Sequence, residues 1–502
     1  MAAAVALGLY VPLLVVAAVV VWRRPVVALY VFVVGLALHN TVMAALYAAD
    51  VQGAALTAIQ AWKEVLLAVA VARVGADALR RRRLAFTPAA VDALAVAFLA
   101  VALVYALLPQ SVLDGGADAE GVLLGVRDYL ALGAAYFLGR SLLAGRNELR
   151  RLVWVVLATA AAVAAVGLLE VYAVPIERWR DAEVPEYFAD QLGFDYNGPA
   201  GLPENFVFNT GDEDDLLRRA VSVFLSPLGT AYLIVVALCL AAAGVLRTRP
   251  GLVAGLAAVA AAGLLFTFTR AALVALAGGL CVLALVQRRL WPLGAAAATV
   301  AVGVVFALAF PSLAPETHWF PEDLAEQRRR AQELGVPPGE TVSLDEPSIR
   351  SHLTSLRDGI ETVLDHPQGF GPGNAGSAAL RTGVELQAGE STYAEVGVET
   401  GLAGLLVFAA WSLALLWRLG VAGRRDALAA GVAAALAAVL ALAVQTDVLG
   451  VPWLVYCVWA LAGAVVTGAA ARGDTDGRGD PTTLFERWPN RSTHAPTSAT
   501  ST

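Results

Sequence analysis

Long apolar runs, separated by short polar or charged stretches, dominate the chain. Each run is about 20 residues long, which is the length that an α-helix needs to cross the hydrocarbon core of a bilayer. The pattern therefore predicts an all-α polytopic membrane protein with about 12–13 transmembrane helices. The candidate spans are residues 4–22, 25–48, 54–74, 88–108, 121–143, 152–174, 220–246, 250–267, 270–287, 291–311, 392–417, 427–446 and 449–470.

Composition agrees with this reading and excludes other classes of protein. Of the 502 residues, 58% are hydrophobic and 15% are charged, whereas soluble domains are about 45–50% apolar and about 25% charged. A soluble multidomain enzyme is therefore excluded, and the net charge of −7 argues against nucleic acid as a partner. The three cysteines lie far apart in apolar runs, so they predict neither a disulfide framework nor a metal cluster.

The arginine-rich loops indicate the orientation, because basic residues accumulate in cytoplasmic loops. They all fall on one side if the spans alternate, which places the N-terminus outside the cell membrane and the C-terminal tail inside. Two long acidic segments then lie on the extracytoplasmic side. We expect N-terminal transmembrane helices (1–175), a first outer loop (176–219), central transmembrane helices (220–311), a large outer loop over the active site (312–391), C-terminal transmembrane helices (392–470) and a disordered cytoplasmic tail (471–502).

The large outer loop contains one clear local pattern. Apolar residues recur at three- and four-residue spacing between positions 348 and 365, which predicts an amphipathic helix. His366 and Pro367 end that helix, and residues 368–374 (QGFGPGN) predict a tight turn. The turn lacks the GK[ST] ending of a nucleotide-binding loop, so no nucleotide is expected there.

Charged residues near or inside the membrane are candidates for function, because they are costly at that depth. Arg270 stands between two closely joined spans, where a guanidinium can hold a phosphate by bidentate hydrogen bonds. Its alternative role is that of an interfacial arginine. Lys63 and Glu64 lie near the middle of the third span, and as adjacent helical residues they are not expected to form a pair. Arg127 and Asp128 are expected to form an ion pair.

Other arginines lie on the predicted outer side. Arg218 and Arg219 are candidates for binding a phosphate, and salt bridges to the acidic run at 212–215 are the alternative. Arg350 and Arg357 are seven positions apart on one face of the loop helix, and together with Arg381 they predict a basic pocket over the membrane. Ordinary surface salt bridges are the alternative for these three residues.

Four stretches of the sequence together resemble the O-antigen ligase/polymerase family. Residues 219–227 (RAVSVFLSP) are similar to the family's R-x-x-G-x-F-x-x-P stretch, and residues 269–272 (TRAA) are similar to its S-R-G/A stretch. Residues 350–373 resemble its loop helix, which ends in P-L-x-G-x-G-x-G. Residues 390–393 (ESTY) and 399–404 (ETGLAG) are similar to its closing H-N-x-Y and E-x-G-L-x-G stretches.

The resemblance implies a membrane glycosyltransferase of the GT-C type that acts in polysaccharide biosynthesis of the cell envelope. Such proteins transfer or polymerise a glycan from a polyprenyl-diphosphate-linked oligosaccharide at the outer face of the lipid bilayer. The acceptor is a hydroxyl of a glycan, lipid or protein, and no cofactor, metal or nucleotide sugar is implied.

The resemblance also implies the roles of individual residues. Arg219 and Arg270 would be catalytic residues that clamp the diphosphate, and Glu390, which stands where the family has a histidine, would be the general base or an orienter of the acceptor. The substrate-binding residues would be Arg218, Arg350, Arg357, Arg381 and Tyr393.

Two other functions use the same features. A transporter or flippase of a lipid-linked or anionic solute would use the arginines for binding alone. A membrane scaffold with no catalytic activity would tolerate substitution of every arginine.

Overall fold

The computed structural model describes residues 1–194, 196, 198–209, 216–321, 325 and 347–473. In this part of the chain, nine helices are long and apolar enough to span a membrane, which confirms an all-α polytopic membrane protein. Seven of these nine are α1 (Ala2–Arg23), α2 (Val27–Tyr47), the pair formed by α3 (Gly53–Gln60) and α4 (Trp62–Arg81), α5 (Ala90–Leu107), α6 (Ala119–Ser141), α7 (Arg146–Ala173) and α12 (Arg270–Gln287). Four shorter helices lie between α7 and α12, and they are α8 (Glu177–Asp181), α9 (Val184–Glu186), α10 (Pro227–Ala242) and α11 (Pro250–Phe266).

The remaining two long helices are separated by the large loop. They are α13 (Trp291–Leu313) and α16 (Thr392–Gly423). The loop between them contains α14 (Pro347–Asp365) and α15 (Gly376–Thr382). The last helices of the described residues are α17 (Ala427–Leu442), α18 (Pro452–Leu454), a π-helical turn (Val455–Trp459) and α19 (Ala460–Gly473).

Each predicted span contains an apolar helix, but four of the apolar helical stretches have at most 17 residues, which is at or below the lower limit of the length that crosses a bilayer. They are Pro227–Ala242, Pro250–Phe266, Ala427–Leu442 and Pro452–Gly468. Two of them, α10 and α17, are buried along nearly their whole length. Because a helix surrounded by other helices does not have to match the lipid thickness by itself, the number of spans stays a prediction.

The largest core lies where these short helices meet the long ones. Helix α17 packs against α10, α12 and α16, while α7 packs against α11 and α6 packs against α19. By contrast, α1 buries only Val21 and exposes large apolar side chains such as Leu9 and Leu13. In a bilayer, that apolar surface faces lipid.

A small antiparallel sheet, which no pattern in the sequence predicts, joins the two predicted outer loops. Strand β1 (Val207–Asn209) pairs with β2 (Leu216–Arg218), and β2 pairs with β3 (Glu316–Thr317). Each strand has only two or three residues, which is too short for a period-two pattern to be recognised.

Helix α14 confirms the amphipathic helix predicted for the large loop, because it covers Pro347–Asp365. Its contact with the membrane helices is narrow: Val363 is buried against α16, whereas Ile360 and Leu364 remain at least half exposed. Gly359 allows a close approach, since an added Cβ would lie 2.8 Å from the Cβ of Ala394. The acidic run at 212–215 and the tail from residue 474 onward lie outside the described residues.

Candidate functional site

A cavity of about 2160 Å³ opens between the helices and the segments that connect them. Its walls come from α2, α4, α6, α10, α12, α15 and α16, together with described residues between positions 187 and 208 in the first predicted outer loop. Four of the predicted site residues line it: Arg219, Arg270, Arg381 and Glu390. Ligand pockets for small molecules are about 300–1,000 Å³, so this cavity is large enough for an extended ligand.

Arg219 is held against the turn between α11 and α12. Its Nε donates a hydrogen bond to the carbonyl oxygen of Thr267 at 2.8 Å, and its Nη2 donates to Oγ1 of Thr269 at 3.1 Å. The neighbouring backbone N–H of Ala220 donates to the carbonyl oxygen of Phe266 at 2.9 Å. The stretch around Arg219 therefore fixes the turn from which Arg270 projects.

Arg270 is the first residue of α12 and packs on aromatic rings. Its Cζ lies 5.6 Å from the ring centroids of both Phe208 and Phe268. Phe268, which has a positive φ of 47°, stacks on Phe310 with a centroid distance of 4.0 Å. Rings that contact the face of a guanidinium do not compete with an oxyanion for the hydrogen bonds of its N–H edge. The helix N-terminus adds a positive electrostatic potential.

The hydrogen bonds of the residues that follow Glu390 hold it in the cavity wall. Glu390 has a positive φ of 64° and is exposed in the cavity wall. Ser391 caps α16 by accepting a hydrogen bond from the N–H of Ala394, and Oγ1 of Thr392 donates to the carbonyl oxygen of Thr446 at 2.8 Å. The ESTY stretch is thus tied to the protein, and only its first residue lines the cavity.

Arg381, on α15, also lines the cavity but contacts other residues than Arg219 and Arg270 do. Its Cζ is 5.3 Å from the ring centroid of Phe194. Burial lowers the pKa of its guanidinium, and the nearby charge of Arg127 lowers it further. The Nε of Arg381 has no hydrogen-bond partner among the described residues.

The structure does not bring three of the other predicted binding residues into the cavity. Arg218 is buried, and its Nη2 lies 2.6 Å from Oε1 of Glu170. Arg357 is 77% exposed and pairs with Glu361 one helical turn away, at 2.7 Å. Tyr393 donates to the carbonyl oxygen of Leu440 at 3.2 Å. Arg350 belongs to α14, in the part of that helix whose side chains are outside the described set.

The Gly/Pro turn after α14 is a structural clamp. Gly369, Gly371 and Gly373 all have positive φ values, of 74°, 91° and 91°, a conformation that glycine adopts without steric cost. The N–H of Gly373 donates to Oε1 of Glu399 at 2.8 Å, and the hydroxyl of Tyr129 on α6 donates to the other carboxylate oxygen at 2.5 Å. The turn is therefore anchored to α6 and α16.

Gly401 lies where the GFGPG stretch (369–373) and the ETGLAG stretch (399–404) contact each other. It has a φ of 66° and interrupts α16, so backbone groups around it are free to pair with the turn. The N–H of Phe370 donates to the carbonyl oxygen of Val398 at 2.6 Å, and the N–H of Leu402 donates to that of Pro367 at 2.9 Å. The GFGPG and ETGLAG stretches thus form one interlocked unit.

One contact in the cavity wall differs from the prediction made from the sequence. Lys63 and Glu64 do form a pair, with 3.4 Å between Nζ and Oε1, so the expectation that they would not was wrong. The helix is interrupted at Ala61, so both residues lie in the first turn of α4. The predicted pair of Arg127 and Asp128 is confirmed at 2.9 Å.

A pair of carboxyl groups in the wall was not predicted. Glu395 is buried, Asp447 lies in the connection between α17 and α18, and the two carboxyl groups line the cavity close enough to interact electrostatically. Burial raises the pKa of Asp447, although the backbone N–H of Gly450 opposes this by donating to its Oδ1 at 2.7 Å. Glu395 is five positions after Glu390, but only the folded chain brings Asp447 beside it.

Comparison with known proteins gives one family match. Residues 254–409 match the family model described as O-Antigen ligase. The matched range includes Arg270, Arg381, Glu390 and the interlocked glycine stretches, whereas Arg219 precedes it. No curated protein matches the chain. The O-antigen ligase domain at residues 254–409 supports the assignment of this chain to the O-antigen ligase/polymerase family of membrane glycosyl-transferring proteins.

Proposed function

We propose that this protein transfers or polymerises a glycan from a polyprenyl diphosphate carrier onto an acceptor hydroxyl at the outer face of the cell membrane. The observation that carries the proposal is that Arg219, Arg270, Arg381 and Glu390, which come from separate stretches of the sequence, line one cavity. The volume of about 2160 Å³ suits an oligosaccharide with its carrier headgroup and an acceptor.

In the proposed reaction, the acceptor oxygen bonds to the anomeric carbon as the bond from that carbon to the phosphate oxygen breaks. The carrier leaves as a diphosphate that gains negative charge. Arg270 stabilises this charge from a fixed position on the aromatic rings, and Arg219 holds the turn that carries Arg270. The carboxylate of Glu390 accepts the proton of the acceptor hydroxyl or orients that hydroxyl.

The test is transfer by the full-length protein reconstituted in lipid with a polyprenyl-diphosphate oligosaccharide and candidate acceptors. The readouts are new glycan products and released carrier diphosphate, and a ladder of product sizes distinguishes a polymerase from a ligase. Arg270→Ala should lower the rate of transfer by about a hundredfold or more, as expected when a preorganised donor to a developing oxyanion is lost.

Arg289→Ala is a matched control, because Arg289 is exposed just beyond the other end of α12. If Arg270→Ala folds and transfers glycan at the rate of the wild type, the proposed role of Arg270 in stabilising the leaving diphosphate is wrong. If the glycan changes leaflet while it remains joined to its carrier, the protein is a flippase.

A further inference from the structure

The cavity contains a second basic cluster, separate from the turn that carries Arg270. We define it as His39, Lys63, Arg127 and Arg381, which come from α2, α4, α6 and α15 and all line the cavity. Arg381 interacts electrostatically with each of the other three side chains. None of these residues lies in the stretches around Arg219 and Arg270.

The ion pairs formed within this part of the wall do not include Arg381. Nζ of Lys63 lies 3.4 Å from Oε1 of Glu64, and Nη2 of Arg127 lies 2.9 Å from Oδ1 of Asp128. Asp128 also attracts Arg381, but no ion pair of Arg381 occurs among the described residues. Among the described residues, the carboxylates of Glu64 and Asp128 are therefore engaged by Lys63 and Arg127, and the charge of Arg381 is not compensated by a salt bridge. An uncompensated buried charge is costly, and an anionic ligand would remove that cost.

Neutral hydrogen-bond donors lie beside the same charge. Trp62 donates to Nδ1 of His39 at 3.1 Å, which assigns the proton of the neutral imidazole to Nε2. Burial raises the pKa of Tyr187 and that of Tyr196 to about 12, so both hydroxyls stay protonated near neutral pH. Both tyrosines line the cavity and interact electrostatically with Arg381.

Phe194 and the two tyrosines also give this part of the wall the character of a sugar-binding surface. Phe194 lies under the guanidinium of Arg381, and Tyr196 packs against Phe194 with 5.9 Å between ring centroids. Aromatic rings provide apolar contact area, while the hydroxyls and the guanidinium donate hydrogen bonds. The Nε of Arg381, which lacks a partner among the described residues, is one such available donor.

We propose that the second basic cluster binds an anionic group carried by the glycan, either the carboxylate of an acidic sugar or a phosphate ester. This inference rests on the proposed function, in which the carrier diphosphate lies at Arg270. It means that the protein handles an acidic glycan and recognises it at a subsite formed by α2, α4, α6 and α15.

The test measures binding of soluble oligosaccharides to the full-length protein in lipid nanodiscs by calorimetry. The probes are a tetrasaccharide that contains glucuronic acid, the same tetrasaccharide with its carboxylates methyl-esterified, and a neutral hexose tetrasaccharide with and without one phosphate ester. The wild type should bind the charged member of at least one pair about ten- to a hundredfold more tightly, as expected for charge-assisted hydrogen bonds. The pair that shows the preference identifies the anionic group.

Arg381→Gln should abolish this preference, and Arg381→Lys should keep part of it because the charge remains. Arg178→Gln should leave it unchanged, since Arg178 is 72% exposed and outside the cavity. The thermal unfolding midpoint of each variant shows that it is folded. Equal binding of both members in both pairs by the wild type, or a full preference in folded Arg381→Gln, would overturn the inference.

The outcome is distinguishable from failure of the proposed function. If glycan transfer requires Arg270 but neither pair shows a preference, the enzyme proposal stands and the acidic-glycan subsite is wrong. If binding depends on Arg381 but no acceptor supports transfer, the subsite stands and the enzyme proposal fails.

Discussion

Arg218 and Arg219 are adjacent in the sequence, but their side chains lie in different surroundings. Arg218 is the last residue of β2 and Arg219 follows it. Successive side chains of an extended segment point to opposite sides, so Arg218 enters the protein to meet Glu170 while Arg219 lines the cavity. The sequence identified both as phosphate-binding candidates, but the geometry supports a structural role for Arg218.

Replacement of Arg218 by alanine should therefore reduce stability rather than substrate binding. The change leaves the carboxylate of Glu170 buried without its cation, which costs about 3–5 kcal/mol. Unfolding in detergent micelles measures the loss, and the molecules that remain folded should keep their affinity for a polyprenyl diphosphate.

The control for Arg218→Ala is Arg178→Ala, which removes an exposed pair with a distance of 3.9 Å. That substitution should change the free energy of unfolding by less than about 1 kcal/mol. A stable Arg218→Ala protein with weakened diphosphate binding would contradict the structural role and restore the binding role.

At the scale of elements, the glycine-rich turn and the break in α16 act as one unit. Glycines at 369, 371, 373 and 401 all have positive φ, and backbone hydrogen bonds connect the two segments. The carbonyl oxygen of Gln368 also accepts from the hydroxyl of Tyr105 at 2.7 Å, which joins the turn to α5. This unit fixes where α14 ends and where α15 begins, and α15 carries Arg381.

Gly373→Ala should destabilise this unit more than Gly383→Ala does. Both glycines have positive φ, of 91° and 67°, so alanine costs about 1–2 kcal/mol at either position. A Cβ on Gly373 would in addition collide with the backbone of Gly121, whereas a Cβ on Gly383 meets nothing within 4 Å. Overpacking adds about 1–3 kcal/mol.

Thermal unfolding of the two variants in the same detergent measures the difference between them. Glycan transfer should fall with Gly373→Ala because the clamp that positions α15 is displaced. If the two variants had equal unfolding midpoints, the turn would not be the tight clamp that the contacts indicate.

At the scale of the whole molecule, the cavity is made by segments that are distant in sequence. It includes residues from α2, near the N-terminus, and from α18, near the end of the described chain. The two predicted outer loops meet in the sheet, where Leu216 pairs with Thr317. If those loops are extracytoplasmic, the cavity opens to the outer side, where a lipid-linked glycan would be bound.

Labelling of single cysteines tests this orientation. In a background without the three native cysteines, Asp358→Cys on the exposed face of α14 should react with a membrane-impermeant maleimide added to intact cells. Arg289→Cys, beyond the far end of α12, should react only after the membrane is permeabilised. The reverse pattern would place the large loop and the cavity in the cytoplasm.

The sequence by itself determined the helices and the local motifs. An apolar run of membrane length and a three- and four-residue periodicity are local properties, so the helical class, the positions of the apolar helices and the bounds of α14 followed from them. The family resemblance was carried by short stretches whose spacing is also visible in the sequence, and residues 254–409 bear it out.

Only the tertiary structure decided which side chains meet. The burial of Arg218 with Glu170, the proximity of Glu395 to Asp447 and the gathering of His39, Lys63, Arg127 and Arg381 all depend on packing between distant segments. Rotating one helix about its axis by the angle between adjacent residues, or packing it against a different helix, would separate these groups. No local sequence pattern specifies which helices pack together. The chemistry of each residue was therefore readable from the sequence, whereas its partners were set by the packing.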